Sequence, residues 1–298
     1  MKTESWAMSI CKRLGLKKMA WTLRRLHCPI AKDALVLEIG SGGNPYSRAN
    51  ILLDAYEITK ERHYAHLKAD RPLILGFGEK LPFKDRVFDF VIASHVLEHS
   101  ANPEKFLSEL QRVAKAGYIE TPDAFMERIN PYTFHRLEIT KRRQKLMIRK
   151  KKNWLNDKEL VELYEYKAKK YITSRCFSNN PELFHVRHYW QDKIDFIVLN
   201  PEVDCSWVSP KDKKYDLPVR RILRNGIIDL IRGFLSQNKR NRSLNILDLL
   251  VCPKCVGGKF VRQTQGIICL KCHQVFRIKD NIIVMNAGEE QRKNYDIL

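Results

Sequence analysis

Four cysteines near the C-terminus are spaced like metal ligands. Cys252 and Cys255 form one pair, and Cys269 and Cys272 form a second pair after thirteen intervening residues. Each pair can present two thiolates to one ion, and four thiolates complete the tetrahedral shell of a structural Zn²⁺ site. Because no coordination position stays open, the spacing predicts a structural rather than a catalytic zinc ion. His273 is a spare candidate ligand beside Cys272.

A second set of residues lies at the end of a predicted strand near the N-terminus. Residues 34–39 form an apolar run, and Gly40 and Gly42 follow it. Glycine lets the backbone turn sharply and approach a ligand closely, and open α/β sheets bind ligands past the carboxyl ends of their strands. Asp54 ends the next predicted strand, sixteen positions after Glu38. This offset is near the roughly 20 residues at which an acidic side chain meets ribose hydroxyls, so a nucleotide-type cofactor is predicted.

Strand and helix signals alternate through the first two thirds of the chain. This alternation is typical of an α/β fold with an open, twisted and mostly parallel sheet. Asn102-Pro103 opens an amphipathic helix that ends before Gly117. Two further runs flank the polar turn 191–193 and predict a terminal antiparallel hairpin over 183–190 and 194–199. The other predicted strands cover residues 34–39, 51–53, 73–75, 88–93 and 118–120.

Composition divides the chain into four predicted parts. Residues 1–30 form a basic helical extension, and residues 31–200 form the main α/β domain. We expect a mostly helical insertion within that domain, over residues 123–180. A linker and a basic helix follow over residues 201–243, and residues 244–298 form a small zinc-ribbon domain that needs its metal because its core is small.

Three segments of the main domain together resemble the class I S-adenosylmethionine (SAM)-dependent methyltransferases. They are residues 36–43, 79–83 and 88–99, within a resemblance that covers residues 33–122. It implies a Rossmann-like fold with SAM as cofactor, Glu38 at the methionine end and Asp54 at the ribose. The residues that it places around the cofactor are Glu38, Gly40, Ser41, Gly42, Asp54, Phe77, Gly78, Glu79 and Ser94.

Phe77 departs from the family pattern. The family often has an aspartate at this position, where it contacts the adenine amino group, and here Phe77 could stack on the adenine or belong to the core. A hydride-transfer dinucleotide site is the competing interpretation of the loop. It is disfavoured because the third glycine of that motif is missing and Glu38 precedes the first.

Candidate catalytic residues follow the fourth and fifth predicted strands. His95 stands directly after Ser94, and imidazole suits a general base at neutral pH. Many such enzymes instead rely on alignment alone. Glu98 and His99 come one helical turn later, with capping or packing as their expected role. His135 and Arg136 lie where the family covers its acceptor, and Arg136 could hold a phosphate or carboxylate; an ordinary loop that closes the pocket is the alternative.

The candidate acceptor classes differ in what they require of these strand ends. Enzymes that methylate nucleobase amino groups typically carry a Pro-Pro-aromatic pattern after the fourth strand, and this chain lacks it. The chain also has no cysteine nucleophile near the fourth or fifth strand, as methylation of cytosine C5 would require. We therefore expect methylation on oxygen of a small-molecule or glycan-type acceptor. An RNA (tRNA or rRNA) methyltransferase is the alternative, and a non-catalytic zinc-ribbon scaffold is a third possibility.

The net charge of +20 predicts an anionic partner. Nucleic acid, an anionic acceptor and anionic lipid all qualify, and residues 136–152 hold the densest basic run. In the N-terminal extension, basic residues alternate with apolar ones, which is compatible with peripheral membrane contact or with packing on the main domain. No apolar run is long enough for a transmembrane segment. Without a signal peptide or a disulfide framework, we expect a cytoplasmic protein.

The cysteine segment also resembles a known family. Residues 249–255, 268–272 and 276–285 resemble a small zinc-ribbon family whose members bind and activate separate methyltransferases. The resemblance implies that the ribbon stabilises the main domain or helps to receive substrate. A free nucleic-acid-binding ribbon is the rival interpretation.

Overall fold

The computed structural model describes residues 1–62, 66–177, 179–208, 238–264 and 266–285. The predicted basic helix and most of the predicted linker lie outside these residues. None of the described helices combines the length and hydropathy that crossing a bilayer requires.

Five parallel strands form the centre of the main sheet. All residues of the first three strands are buried, as expected when a parallel sheet is covered on both faces. Their spatial order is β3-β2-β1-β4-β5. This confirms the predicted Rossmann-like α/β class. The bounds are β1 Val36–Ile39, β2 Ile51–Asp54, β3 Leu73–Leu75, β4 Phe90–Ser94 and β5 Ala116–Pro122.

The strand order reverses between β1 and β4. Leu37 of β1 pairs in parallel with Ile51 on one side and with Val91 on the other. Chain connections leave this point in opposite directions, which opens a crevice beyond the carboxyl ends of the two strands. The residues that follow Ile39 and Ser94 therefore line the predicted ligand site.

Helices cover the sheet and extend from the N-terminus. The N-terminal extension contains α1 (Trp6–Arg13), α2 (Lys17–Leu23) and a 3₁₀ turn (Arg24–Leu26). Helix α3 (Pro103–Val113) begins as predicted, since the Asn102 side chain accepts a hydrogen bond from the backbone N–H of Lys105. Its apolar face is buried against the sheet and consists of Phe106, Leu107, Leu110 and Val113.

The segment 123–180 is not mostly helical as predicted. Helix α4 (Ala124–Ile129) is followed by a hairpin of β6 (Leu137–Arg142) and β7 (Lys145–Lys150). The strands form because their apolar residues recur at every second position, although basic residues dominate the composition. The buried apolar residues are Leu137, Ile139, Leu146 and Ile148. Helical turns follow the hairpin: α5 (Lys158–Leu163), α6 (Lys169–Tyr171) and two π-helical turns, Tyr164–Ala168 and Ile172–Phe177.

The predicted terminal hairpin is also wrong. Strand β8 (His185–Gln191) pairs antiparallel with β5, whereas β9 (Phe196–Val198) leaves the main sheet and pairs in parallel with β7. The turn residue Asp192 has a φ of 59°, and only a bridge from Gln191 to Lys193 joins the two sides. The backbone hydrogen bonds of β9 are therefore made with the open edge of β7 and not, as the sequence pattern predicted, with β8.

The C-terminal segment continues the main sheet. After α7 (Asn238–Ser243), four strands form an antiparallel series: β10 (Phe260–Gln263), β11 (Gly266–Cys269), β12 (Val275–Lys279) and β13 (Ile282–Val284). Strand β13 then pairs in parallel with β3, and Met285 N donates to Leu75 O at 2.9 Å. Within the described residues, the result is one sheet of ten strands.

Candidate functional site

The loop after β1 has the backbone shape of a ligand cradle. Gly40 and Gly42 have φ values of 67° and 56°, a region that disfavours residues with a Cβ. A Cβ on Gly40 would lie 2.0 Å from Cγ2 of Val96. The loop therefore runs against the turn that follows β4, and this close approach requires glycine at position 40.

Two hydroxyl groups in this crevice lack protein partners. Ser41 is buried, and its Oγ has no hydrogen bond among the described residues; the same holds for Oγ of Ser94 at the end of β4. A buried hydroxyl without a partner loses free energy. Together with the glycine loop, these two groups fit a polar ligand such as SAM.

The two predicted acidic residues hold the loop in place. Glu38 is buried, and its Oε2 accepts a hydrogen bond from Tyr46 N at 2.7 Å. Asp54 accepts hydrogen bonds from Gly42 N at 3.0 Å and from Nη1 of Arg62 at 2.7 Å. Burial raises the pKa of Asp54 above its usual value, although Arg62 and nearby backbone N–H groups oppose the shift. A ribose at Asp54 would thus have to share the carboxylate with Arg62.

The predicted adenine side is formed after β3. Phe77 contacts Tyr56 edge to face, with ring centroids 5.8 Å apart. A Cβ on Gly78 would lie 2.2 Å from Cε2 of Phe106, so this position allows only glycine without repacking. Glu79 accepts a hydrogen bond from Oγ of Ser100 at 2.5 Å, which links this loop to the turn after β4.

His95 lies at the predicted place, close to two carboxylates. Its Nε2 is 3.2 Å from Oε1 of Glu120, and its Nδ1 is 3.4 Å from Oε1 of Glu98. Burial lowers the pKa of His95, but the two carboxylates outweigh burial and raise this pKa to about 9. For Glu98, burial acts to raise the pKa of the carboxyl, but the neighbouring histidines outweigh burial and lower this pKa to about 2. Both carboxylates favour the protonated imidazole and so act against the base role, which stays a prediction.

A residue of the N-terminal extension reaches the same site. The guanidinium of Arg24 donates to both oxygens of Glu120 at 2.7 Å, and Tyr118 Oη also donates to this carboxylate. The next residue, Arg25, donates to Asn44 O in the cofactor loop. The extension therefore covers the crevice. Sequence reasoning missed this contact because 96 residues separate Arg24 from Glu120.

The predicted acceptor-binding residues are mostly engaged within the protein. His135 is buried, and its Nδ1 lies 2.6 Å from Oε2 of Glu127. The guanidinium of Arg136 donates to the carbonyl oxygens of Cys205 and Trp207, both at 2.6 Å. Arg136 is thus a structural anchor for residues 205–207 and is not positioned as a free phosphate-binding group.

The four C-terminal cysteines come together as predicted. Their sulfur atoms all lie within 4.8 Å of one another, and the Cys252–Cys272 and Cys255–Cys269 pairs are each 3.7 Å apart. A tetrahedral zinc ion with Zn–S bonds of about 2.3 Å requires S···S separations of about 3.8 Å. The cluster is therefore compatible with zinc binding.

Comparisons with known proteins agree with this geometry. Residues 37–119 match a family model described as a methyltransferase domain. The chain is 32% identical over 132 residues to the uncharacterized protein MJ1123 of Methanocaldococcus jannaschii, a match that covers 43% of this chain and 60% of that protein. This chain therefore matches less than two thirds of that relative's length.

Two further similarities are to a short curated protein and to a solved complex. A stretch of 57 residues is 39% identical to UPF0434 protein MCA0634 of Methylococcus capsulatus, covering 18% of this chain and 81% of that protein. A solved complex between the Haloferax volcanii Trm112 methyltransferase activator and a methyltransferase is similar with a TM-score of 0.27 and 20% identity. That match covers 39% of this chain and 55% of the solved chain.

Residues 37–119, which match the methyltransferase domain model, form the Rossmann-like part of the sheet together with its glycine loop. In its cysteine-containing C-terminal segment, the chain belongs to the UPF0434 protein family.

Proposed function

We propose that this protein transfers a methyl group from SAM to an oxygen atom of a small-molecule or glycan-type acceptor. The observation that supports this proposal best is the crevice between β1 and β4. There the glycine loop stands beside the unpaired hydroxyls of Ser41 and Ser94. The cofactor would lie along this loop, with its methionine end near Glu38 and its ribose near Asp54.

The chemistry needs alignment more than activation. SAM supplies an activated methyl group on a sulfonium. With SAM bound, the acceptor oxygen would form a bond to the methyl carbon as the carbon–sulfur bond broke, the electron pair would stay on sulfur, and the hydroxyl proton would be released to solvent. The chain's own task is to hold the acceptor in line and to exclude water. The lid formed by Arg24 and Arg25 supports the second role, because it covers the ends of β1 and β5.

The cofactor assignment is tested by calorimetric titration of SAM and its demethylated product into the zinc-loaded chain. We expect micromolar binding that Gly40→Ala abolishes, because the added Cβ collides with Val96. Gly15→Ala is the matched control: Gly15 also has a positive φ, but its Cβ would meet no atom within 4 Å. Absence of binding by the folded wild-type chain would overturn the proposal.

The acceptor class is tested with SAM labelled in the methyl group. Label in hydroxylated small molecules or oligosaccharides, stable to alkali as an ether is, would support the proposal. Label in tRNA or rRNA instead would favour the RNA methyltransferase and contradict methylation of a small-molecule or glycan-type acceptor.

We also propose that the cysteine cluster holds a structural zinc ion. Four sulfur ligands leave no open position for chemistry, so its role is to stabilise the strands that extend the main sheet. The four cysteines outside the cluster, Cys11, Cys28, Cys176 and Cys205, form no disulfide bond, which supports a reducing compartment such as the cytoplasm.

The N-terminal helices support a peripheral contact with anionic lipid. One face of these helices packs on the domain through the buried Met8, Cys11 and Ala20, while Trp6, Leu14 and Met19 are 81%, 68% and 55% exposed. Basic residues stand beside them, as in helices that lie on anionic membranes. Cosedimentation with phosphatidylglycerol vesicles should exceed that with phosphatidylcholine vesicles and should fall in Trp6→Ser. Equal sedimentation with both would contradict the contact.

A further inference from the structure

Three ligand-type side chains meet beside the end of β4. Glu98 and His99 lie on the 3₁₀ turn Leu97–His99, and His135 comes from the loop after α4. Their carboxylate and imidazole ligand atoms all lie within 4.8 Å of one another. The backbone N–H of Arg136 donates to Glu98 O at 2.7 Å, which holds the two loops together.

The carboxylate of Glu98 is buried without a hydrogen bond. Its residue is 2% exposed, and neither oxygen has a hydrogen-bond partner among the described residues. Its close cationic partner is His95, whose Nδ1 lies 3.4 Å from Oε1. One imidazole at this distance satisfies only part of a buried carboxylate, and a bound cation would supply a further partner.

The two histidines are arranged as metal ligands usually are. Nδ1 of His135 is 2.6 Å from Oε2 of Glu127, and Oε1 of Glu127 accepts from Lys151 at 2.8 Å. Such a carboxylate fixes the orientation of a ligating imidazole and leaves its other nitrogen for the metal. The ring of His99 is perpendicular to that of His135, with centroids 4.8 Å apart. Its Nδ1 has no hydrogen bond within the described part of the chain, although Oε2 of Glu61 lies 3.6 Å away.

We infer that Glu98, His99 and His135 bind a divalent transition-metal cation, separate from the zinc of the cysteine cluster. Two imidazoles and one carboxylate suit Mn²⁺, Fe²⁺ and Zn²⁺, whereas four thiolates select softer ions. Three protein ligands leave coordination positions open for a substrate oxygen and water.

A cation at Glu98, His99 and His135 would also restrict which acceptors can be methylated. This part of the inference rests on the proposed function. His95 at the end of β4 adjoins Glu98, so the cation would stand on the acceptor side of the methyl group. A cation with open positions binds two adjacent oxygen atoms well and makes a bound hydroxyl more acidic. The acceptor would therefore carry its hydroxyl next to a second oxygen, as in a vicinal diol.

The test uses the zinc-loaded full chain and Mn²⁺ as the probe, without SAM or acceptor. Loss of the electron paramagnetic resonance signal of free Mn²⁺ should report one bound ion per chain, while zinc analysis stays at one per chain. Glu98→Gln and His135→Asn should each weaken Mn²⁺ binding at least tenfold. His188→Gln is the matched control, because His188 is another buried histidine without hydrogen bonds, and it should bind as the wild type does.

A thermal unfolding measurement keeps the inference testable if one variant folds poorly. Mn²⁺ should raise the Tm of the wild type and of His188→Gln by several degrees, and it should not raise that of the partly exposed variant His99→Asn. No Mn²⁺ binding by the wild type, or equal binding by all variants, would overturn the metal site. Failure of the proposed function is distinguishable, because SAM binding and Mn²⁺ binding are measured separately.

Discussion

Arg24 and Glu120 join the N-terminal extension to the carboxyl end of β5. Nε and Nη2 of Arg24 each lie 2.7 Å from a different oxygen of Glu120, and both residues are buried. Burial raises the pKa of the Glu120 carboxyl, but Arg24 and His95 hold it well below its usual value. This ion pair fixes the extension over the crevice, so the extension is part of the site and not an appendage.

Replacing Arg24 alone should destabilise the protein more than replacing both Arg24 and Glu120. We expect Arg24→Met to lower the free energy of unfolding by about 3 kcal/mol, since it leaves a buried carboxylate without its main partner. Adding Glu120→Gln should restore part of that loss, because the unpaired charge is then gone. Urea unfolding of the single and double variants measures both effects, with the exposed Arg13→Met as control. Additive losses would show that the two residues do not interact.

Phe77 offers a direct test of adenine recognition. If its ring stacks on the adenine, Phe77→Ala should weaken SAM binding about tenfold, and Phe77→Tyr should bind nearly as well as the wild type, because stacking needs only an aromatic face. Calorimetric titration measures the affinity, and thermal unfolding measures the packing against Tyr56. A loss of stability with unchanged affinity would assign Phe77 to the core instead.

The zinc cluster and the methyltransferase sheet should lose order together. Strand β13 pairs with β3, and Cys252 belongs to the same hydrophobic core as Phe83 of the main domain. We expect Cys269→Ser to release zinc and to speed amide hydrogen exchange in residues 73–75 as well as in residues 282–284. Cys176→Ser, which changes a cysteine outside the cluster, is the control. Faster exchange confined to the C-terminal strands would mean that the ribbon folds independently.

Local patterns in the sequence predicted most of the central sheet. Buried parallel strands are continuous apolar runs, and the turn after β1 needs glycine at Gly40, so both signals lie within a few residues. The hairpin of β6 and β7 was missed because Lys141, Arg142 and Arg143 obscure an alternation of buried residues. Composition had more influence on that prediction than periodicity did.

Contacts between segments that are distant in sequence could not be predicted from local sequence patterns. The choice of β9 to pair with β7, and of β13 to pair with β3, depends on which sheet edges stay open after the other strands pair. In the same way, the base role predicted for His95 depended on its position alone. Its protonation is set by Glu98 and Glu120, and Glu120 is 25 residues away in sequence.

His188 should make the protein less stable in mild acid. It is buried on β8, and burial together with the nearby Lys141 lowers its pKa to about 4, while Asp195 acts in the opposite direction. Between pH 6.5 and 4 the unfolded chain binds a proton that the folded chain does not. This group's contribution to the free energy of unfolding should therefore fall by up to about 3 kcal/mol as the pH drops through this range.

Urea unfolding from pH 4.5 to 7 should show a flatter pH dependence in His188→Gln, whereas substitution of the exposed His66 by Gln should leave the slope unchanged. The same slope in His188→Gln and wild type would mean that His188 is already protonated in the folded state.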